Sequence, residues 1–507
     1  MKRNARGGLK GIWIAVAAIV VVAVVVSICY MLNRTNTLPS ASSVDSDSTF
    51  VIGLTDEPDS LDIRTDDDPA IARALLDNVY ETLVGRDNDN NLVAGLASSW
   101  DVSDDALTYT FHLRRNMTFA NGDALTAADA VWSLQQIVQN KYVGYDALTN
   151  LKSVTSPDDS TLVIALSAPN PALLRVLSGR AGIVYDADQP NVDYAKQTAG
   201  SGPFTVGSFT TGKIVLERND HYWGTEPPAS QITLQYYDNE TALVNDLANN
   251  VINMALPTRA ASIDDAAGNP TFDVSEGTSS QKVLVAFNSA SSSPLSDQQV
   301  RQAARYSLDA AGIAKSQPDA LAELSGPIGQ LVPGYEDLDS LFPFDIAKAK
   351  SLLAYFRADY LTTIDLIVPI RYQDLGETIQ SNLESGGFSV NLEVLDAATV
   401  DSRVNSGDYD MALITMTGTN DYAQFASSDN VFHYVSGEAQ QEYRDAMAAT
   451  NDDDYVAGLQ KFAKTVSQDA ACGWLYTRKD FVVTKSRLQD YPTNFTSVYL
   501  PLRTLKR

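Results

Sequence analysis

The hydrophobic pattern is most regular between residues 363 and 421, where short apolar runs alternate with amphipathic stretches. The apolar runs have the length of strands, and the stretches between them carry apolar residues at helical spacing. From this pattern we predict, in chain order, a strand at 364–368, a helix at 377–385 closed by Gly386-Gly387, a strand at 390–394, a short helix at 400–405 and a strand at Met411–Met416. Strands that alternate with helices predict a parallel sheet covered on both faces, and hence an α/β fold.

The remainder of the chain also mixes strands and helices. Apolar residues at helical spacing predict a helix over residues 69–83. Two patterns of the capping-box type mark further helix starts, Thr126 with Asp129 and Ser296 with Gln299. Other predicted elements are a strand at 50–54, a strand at 109–113 and a helix at 346–356 that Asp345 caps.

Two charged residues follow strands of the predicted parallel sheet. Arg371 comes just after the first strand, and Asp421 comes just after the last one. Ligands of open α/β sheets bind outside the carboxyl ends of the strands. The pattern alone therefore places both residues at the edge where a ligand is expected.

The N-terminal region contains a long apolar run at residues 11–32. Its 22 residues can span about 30 Å of hydrocarbon as a helix. Lysine and arginine precede the run more than they follow it, so residues 1–10 are predicted to be cytoplasmic and the body extracytoplasmic. We favour an uncleaved anchor in the plasma membrane, followed by a polar linker at 33–48. A cleaved signal peptide and lipidation at Cys29 are the alternatives.

Composition narrows the class of function. The charge of −26 argues against nucleic acid as a partner, because phosphate binding needs a basic surface. Three histidines and two cysteines offer little for a zinc or transition-metal site, so we predict neither metal nor cofactor. The sequence shows no nucleophile elbow and no HExxH motif, and we predict that the protein is not an enzyme.

Six motifs in order give the chain a resemblance to a known family from about residue 50 to residue 505. They are EPDSLD at 57–62, LASSW at 96–100, LRRNMTFANGDALTAADAVWS at 113–133, SGPF at 201–204, LERNDHYWG at 216–224, and a segment at 287–303 that joins FN, LSD and VRQA. In these motifs the chain is similar to the family 5 solute-binding proteins, the extracytoplasmic receptors of bacterial peptide-type ABC importers.

The resemblance implies a two-lobed fold of the class II periplasmic-binding type, with an extra subdomain in the first lobe. It implies a first lobe at 49–283, a second lobe at 284–473 and a return to the first lobe at 474–507, with crossovers near 283–288 and 474–483. It further implies a monomer that captures oligopeptides between the lobes and delivers them to the permease subunits of an ABC importer.

The resemblance also suggests ligand contacts. Asp421 stands where peptide-binding members place an aspartate for the peptide ammonium, although the proline of that motif is absent. Arg371 stands near the position of an arginine that holds the peptide carboxylate in dipeptide-binding members, with shorter local spacing. Tyr422 is a candidate for apolar contact. These residue types suit a zwitterionic peptide, whose buried end charges need partners.

Other functions remain open at this point. Within the family, the ligand could instead be an oligosaccharide, nickel or a metal chelate. Outside the expected role, the protein could be a surface hydrolase that uses paired carboxylates, or a peptide sensor that docks on another membrane protein without import.

Overall fold

A computed structural model describes residues 48–257, 271–356, 363–485, 487–494 and 500–507. Within these ranges no helix has the length and apolar character that a membrane crossing requires. The apolar run at 11–32 and the linker at 33–47 lie outside the described residues. Residues Phe50–Arg507 form one compact unit.

The helices of the described chain are mostly short and are distributed along its whole length. Their bounds are α1 Pro69–Leu75, α2 Ala127–Asn140, α3 Leu173–Val176, α4 Glu240–Ala248, α5 Gln298–Ser307, α6 Ala310–Ser316, α7 Ile346–Leu353, α8 Gln373–Gly386, α9 Ala397–Ser406, α10 Gly437–Met447 and α11 Asp452–Gln468.

The strands are short too, apart from two long ones, β14 and β19. Their bounds are β1 Thr49–Leu54, β2 Val84–Arg86, β3 Leu92–Ala94, β4 Ala97–Val102, β5 Thr108–Leu113, β6 Met117–Thr118, β7 Ala124–Leu125, β8 Leu151–Asp158, β9 Thr161–Leu166, β10 Phe204–Thr210, β11 Lys213–Arg218, β12 Gln231–Tyr236, β13 Met254–Ala255, β14 Phe272–Phe287, β15 Ala320–Glu323, β16 Ile364–Pro369, β17 Val390–Leu395, β18 Met411–Met416 and β19 Cys472–Lys485.

One large sheet runs through the molecule in the order β10-β11-β12-β1-β13-β19-β14-β18-β16-β17, with β15 on the edge of β19. The long strands β14 and β19 pair antiparallel in its middle. At one end of this pair β13 adds to β19, and at the other end β15 adds to β19 and β18 adds to β14. The two long strands therefore cross between a first half (β1 and β10–β13) and a second half (β15–β18) of the sheet.

The pairing of the crossing strands is interrupted where the two halves meet. Thr278 pairs with Lys479, and the next pair is Lys282 with Thr477, so the register shifts between them. A bulge of this kind bends a strand and locally increases its twist. The predicted crossovers, near 283–288 and 474–483, lie within β14 and β19 or reach one residue beyond β14.

The second half confirms the topology predicted from the hydrophobic pattern. β16 pairs parallel with both β17 and β18, and helices α8 and α9 connect these strands in turn. Alternate residues of β14 point into separate cores, Val283 and Val285 into one and Leu284 and Ala286 into the other. Helices cover both faces of the parallel strands, as their nearly continuous apolar character requires. Gly387 takes the left-handed cap at φ 105°.

The first half contains both ends of the described body. Phe50 and Ile52 of β1 share one apolar core with Leu500, Leu502 and Leu505 from the C-terminal end. A separate four-stranded antiparallel sheet, β4-β5-β9-β8, has its own core with α2. Thr126 and Asp129 form the predicted capping box at the start of α2.

Several predicted helix boundaries are wrong. Helices α8 and α9 begin at Gln373 and Ala397, before the predicted starts at 377 and 400. The helix predicted at 69–83 ends at Leu75, because Leu76 is extended and Asp77 has a φ of 61°. Helix α5 is capped by Asp297, since Ser296 belongs to a preceding 3₁₀ turn. Helix α7 starts after Asp345 as predicted but ends at Leu353. Apolar spacing continued past α1 because the following residues, such as Leu76 and Val79, are also buried, in other conformations.

Candidate ligand-binding site

The carboxyl ends of β16 and β18 meet at the edge where the halves of the sheet join. Met416, the last residue of β18, pairs with Lys282 at the interruption in β14. Asp421 begins a 3₁₀ turn that follows β18. Ser280, within the interruption, donates to the carbonyl oxygen of Thr417 at 3.2 Å. The turn that carries Asp421 is therefore attached to the crossing strand.

Asp421 forms a buried ion pair with Lys282. The side chains are 9% and 2% exposed, and the ammonium donates to one carboxylate oxygen. The other oxygen accepts from the backbone N–H of Gly418 at 3.1 Å. Burial raises the pKa of Asp421, against the opposing effect of Lys282. Burial also lowers the pKa of Lys282, so that for both groups desolvation outweighs the mutual attraction.

A second ion pair lies on the neighbouring crossing strand. Arg478 donates from Nε to Asp319 at 2.8 Å and from Nη1 to Gln281 at 2.7 Å. Tyr476 donates to the same carboxylate at 3.3 Å. Burial lowers the pKa of Arg478, but Tyr372, Asp319 and Tyr476 outweigh it, and the net shift is upward. This pair is thus compensated by its surroundings, in contrast to the first.

Arg371 lies at the carboxyl end of β16, as predicted, but in a different environment from Asp421. It is exposed, in a 3₁₀ turn at Ile370–Tyr372, and its guanidinium lies 4.8 Å from the ring centroid of Tyr372. The structure thus brings Arg371 to the predicted edge without joining it to the Lys282–Asp421 pair.

Tyr422 points into the core of the second half. It is 3% exposed and contacts the rings of Tyr443 and Phe462, each at a centroid distance of 6.4 Å. Its hydroxyl lies close to that of Tyr455. Burial lowers the pKa of Arg175, from the α3 region, while nearby Tyr455 and Tyr422 act in the opposite direction. Tyr422 therefore lies beneath a contact between the part of the chain before β14 and the part between β14 and β19.

That contact includes a direct hydrogen bond between the part of the chain before β14 and the part between β14 and β19, since Asn90 donates to the carbonyl of Leu331 at 2.7 Å. Arg175 donates to the carbonyl of the same Asn90 at 3.0 Å, within the first of these parts. A cavity of about 230 Å³ separates the four-stranded sheet from the start of α11; its lining residues include Trp100, Tyr109, Leu174, Asn451 and Asp452. The part of the chain before β14 and the part between β14 and β19 therefore face one another both at the crossing strands and across this cavity.

Sequence reasoning missed Lys282 and Arg478. Both lie on strands that carry further charges, among them Glu276 on β14 and Lys479 on β19, so the charge pattern did not mark them as the buried ones. Their acidic partners are 139 and 159 residues away, so pairing could not be read from spacing. In the described ranges, no group of three or more histidine, cysteine or acidic residues could hold a metal ion. The site offers charge-assisted hydrogen bonds and main-chain edges, which suit binding.

The fold is similar to that of solved substrate-binding proteins. A crystal structure of the ABC transporter substrate-binding protein CtaP from Listeria monocytogenes matches with a TM-score of 0.81 at 20% identity, over 90% of this chain and 99% of that one. NikZ from Campylobacter jejuni, in complex with Ni(L-His), matches with a TM-score of 0.74 at 20% identity, over 88% and 96%. The fold is that of the two-lobed periplasmic binding proteins.

The family follows from the sequence comparisons. Residues 91–438 match the model of the bacterial extracellular solute-binding proteins, family 5. The probable D,D-dipeptide-binding periplasmic protein DdpA of Escherichia coli (strain K12) is 26% identical over 499 residues, covering 90% of this chain and 93% of its own. The chain belongs to family 5 of these solute-binding proteins, which are substrate-binding proteins of ABC transporters rather than enzymes.

Proposed function

We propose that this protein captures short peptides between its two lobes and delivers them to an ABC importer. The observation that carries the proposal is the buried carboxylate of Asp421 at the carboxyl edge of the parallel strands, where the halves of the sheet meet. A peptide ammonium needs such an acceptor when it leaves water. The similarity to a probable dipeptide-binding protein supports the same ligand class.

We propose the following roles for the site residues. Asp421 accepts the ligand's ammonium, and Arg371 approaches the carboxylate of a ligand long enough to reach the exposed edge. Tyr422 supports the turn of Asp421 from below, through its contacts with Tyr443 and Phe462. The lobes are bounded at the interruption of the crossing strands, close to the predicted limits of 283 and 474. Closure about this point buries the ligand.

The ligand class is tested by purifying the protein natively, denaturing it and identifying the released molecules by mass spectrometry. We expect a mixture of short peptides. A single oligosaccharide or a metal chelate would replace the peptide proposal with the corresponding alternative. Turnover of the bound peptides would instead favour a hydrolase.

The role of Asp421 is tested with Asp421→Asn, which keeps an acceptor for the Gly418 N–H and removes the charge. We expect affinity for peptides with free amino termini to fall about tenfold or more, since charge-assisted hydrogen bonds contribute about 1.5–3 kcal/mol. Affinity for N-acetylated peptides is expected to change less than about twofold. Calorimetric titration measures both.

Asp410→Asn is the matched control for that experiment. Asp410 directly precedes β18, at the opposite end from Asp421, and accepts from the Asp365 N–H at 3.1 Å. We expect this variant to leave the ratio of the two affinities unchanged. Equal losses for free and acetylated peptides in Asp421→Asn would reject the assigned role.

We also propose that residues 11–32 tether the protein to the plasma membrane with the body outside. The apolar run and the preceding basic residues support this proposal. Membrane fractionation with protease treatment of intact cells tests it. We expect the full-length chain in the membrane fraction and its body accessible to the protease; a shortened, soluble product would indicate cleavage instead.

A further inference from the structure

Lys282 occupies an unusual position for a lysine. It follows directly after the interruption in the crossing strand, and its side chain is 2% exposed. The aliphatic part of the side chain passes Gly329, and the backbone of Lys282 pairs with Thr477 of β19. The charged end is thereby led from the strand to the turn that carries Asp421.

The stability of the fold does not explain why a positive charge is buried at position 282. Among the described residues, Asp421 is the one hydrogen-bond partner of the ammonium, which has three N–H donors. Taking an ammonium and a carboxylate out of water costs several kcal/mol per ion, and apolar residues of similar volume often stabilise such a position as well or better. The residues that follow it in the strand, Val283 to Phe287, are apolar and buried, and a methionine of similar volume would suit this end of the strand.

The chemistry of the pair matches the chemistry assigned to the ligand. A lysine side chain ends in the same primary ammonium group that a free peptide carries at its amino terminus. The Asp421 carboxylate meets this ammonium with one oxygen and keeps the backbone N–H of Gly418 on the other. The protein therefore supplies, from its own chain, the group that the ligand is proposed to bring.

We propose that Lys282 is a built-in competitor for the ligand's ammonium and a specificity-determining residue of the site. This inference rests on the proposed function. Lys282 keeps the Asp421 carboxylate ionised while no peptide is bound, and an incoming ammonium must displace it. The need to displace Lys282 lowers the affinity for peptides with a free amino terminus. It therefore reduces the ratio between the affinities for free and for N-acetylated peptides.

The test compares Lys282→Met with the wild type in calorimetric titrations of one peptide with a free or an acetylated amino terminus. Methionine keeps the volume and removes the competing charge. We expect the free peptide to bind about fivefold more tightly or better, a gain of about 1 kcal/mol. The acetylated peptide is expected to change by less than about twofold.

Two further variants serve as controls. Lys282→Arg keeps a cation beside Asp421 and is expected to retain the wild-type ratio of affinities. Lys479→Met removes a lysine from the other crossing strand, where it pairs with Glu276 at 2.8 Å, and it is also expected to retain that ratio. These controls separate competition for Asp421 from a general effect on the crossing strands.

Each other outcome rejects the inference in a distinct way. Equal weakening of both peptides in Lys282→Met would assign a purely structural role to the lysine. Loss of affinity for peptides with a free carboxylate, but not for amidated ones, would make Lys282 an anion-binding residue. Failure of the wild type and all variants to bind peptides would overturn the proposed function itself.

Discussion

Two ion pairs stand side by side on the crossing strands, and they are built differently. Arg478 and Asp319 are joined by Gln281 and Tyr476, and the net pKa shift of Arg478 is upward. In the described part of the chain, the Lys282–Asp421 pair is supported by the backbone N–H groups of Gly418 and Tyr422, which both act on Asp421, and the pKa of Lys282 is lowered.

The difference shows that burial alone does not reveal what an ion pair contributes. Side-chain exposure is similarly low in both pairs, 10% and 11% in one and 2% and 9% in the other. What differs is the number of polar neighbours that compensate for lost hydration. We infer that the well-compensated pair holds the crossing strands together. In the poorly compensated pair, a ligand's ammonium can replace Lys282 beside Asp421.

The largest effect is expected when the well-compensated pair is broken. Arg478→Met leaves Asp319 buried without its cation and removes a donor from Gln281, so we expect a loss of about 3–5 kcal/mol in the free energy of unfolding. Urea unfolding of the purified protein measures it. A loss below about 1 kcal/mol would contradict the role given to the surrounding hydrogen bonds.

A third buried acid, Glu81, differs from both pairs because its hydrogen-bond donors within the described ranges are neutral. Glu81 accepts from Ser201 at 2.9 Å, from Trp223 at 2.8 Å and from Tyr222 at 3.1 Å. Burial nevertheless raises its pKa from the ordinary 4.5 to about 7. Its stabilising contribution is therefore complete below pH 4.5 and is lost as the pH rises through about 7.

Replacement of Glu81 should remove this pH dependence. Between pH 5 and pH 8 the wild type is expected to lose up to about 3 kcal/mol in unfolding free energy through this group, because one pKa unit corresponds to about 1.4 kcal/mol. Glu81→Gln should flatten the profile, whatever its absolute stability. Denaturant unfolding at several pH values checks this, and an unchanged slope would contradict it.

A smaller effect is expected when both charges of the poorly compensated pair are removed together. The double variant Lys282→Met/Asp421→Asn should differ from the wild type by less than about 1.5 kcal/mol in unfolding free energy, because it removes two desolvated charges at once. The matched double variant Arg478→Met/Asp319→Asn should lose more, since Gln281 loses the hydrogen bond that Arg478 donates to it. Similar losses in the two double variants would remove the distinction.

The smallest effect is expected for a cation that is not buried. Arg371 is exposed and lies over the ring of Tyr372. Arg371→Ala should change the unfolding free energy by no more than about 0.5 kcal/mol, as is usual for surface substitutions. Thermal unfolding measures this, and a large loss would indicate that the arginine has a structural role.

The sequence allowed the second half of the sheet to be predicted closely. Strand and helix periods there are distinct, and glycines mark helix ends at Gly387 and Gly407. It was less informative where burial continues beyond a helix, as after Leu75, because apolar spacing does not report backbone conformation.

The candidate site could be predicted only in part. The edge position of Asp421 and Arg371 follows from strand order. The partner of Asp421 does not, because Lys282 lies in a distant strand and the two meet only when the halves of the sheet are assembled. This contact depends on how strands that are distant in the sequence are paired, and the local hydrophobic pattern does not contain that register.

The path of the chain has a mechanical consequence. The strand at the start of the body and the residues at its C-terminal end are packed in the same core, while the described strands of the second half all lie between β14 and β19 in the sequence. The chain thus enters the second half through β14 and returns through β19, two strands that pair with each other. The proposed closure would therefore move the second half about those strands without pulling on either end of the body, and so without disturbing the proposed attachment at the N-terminal side.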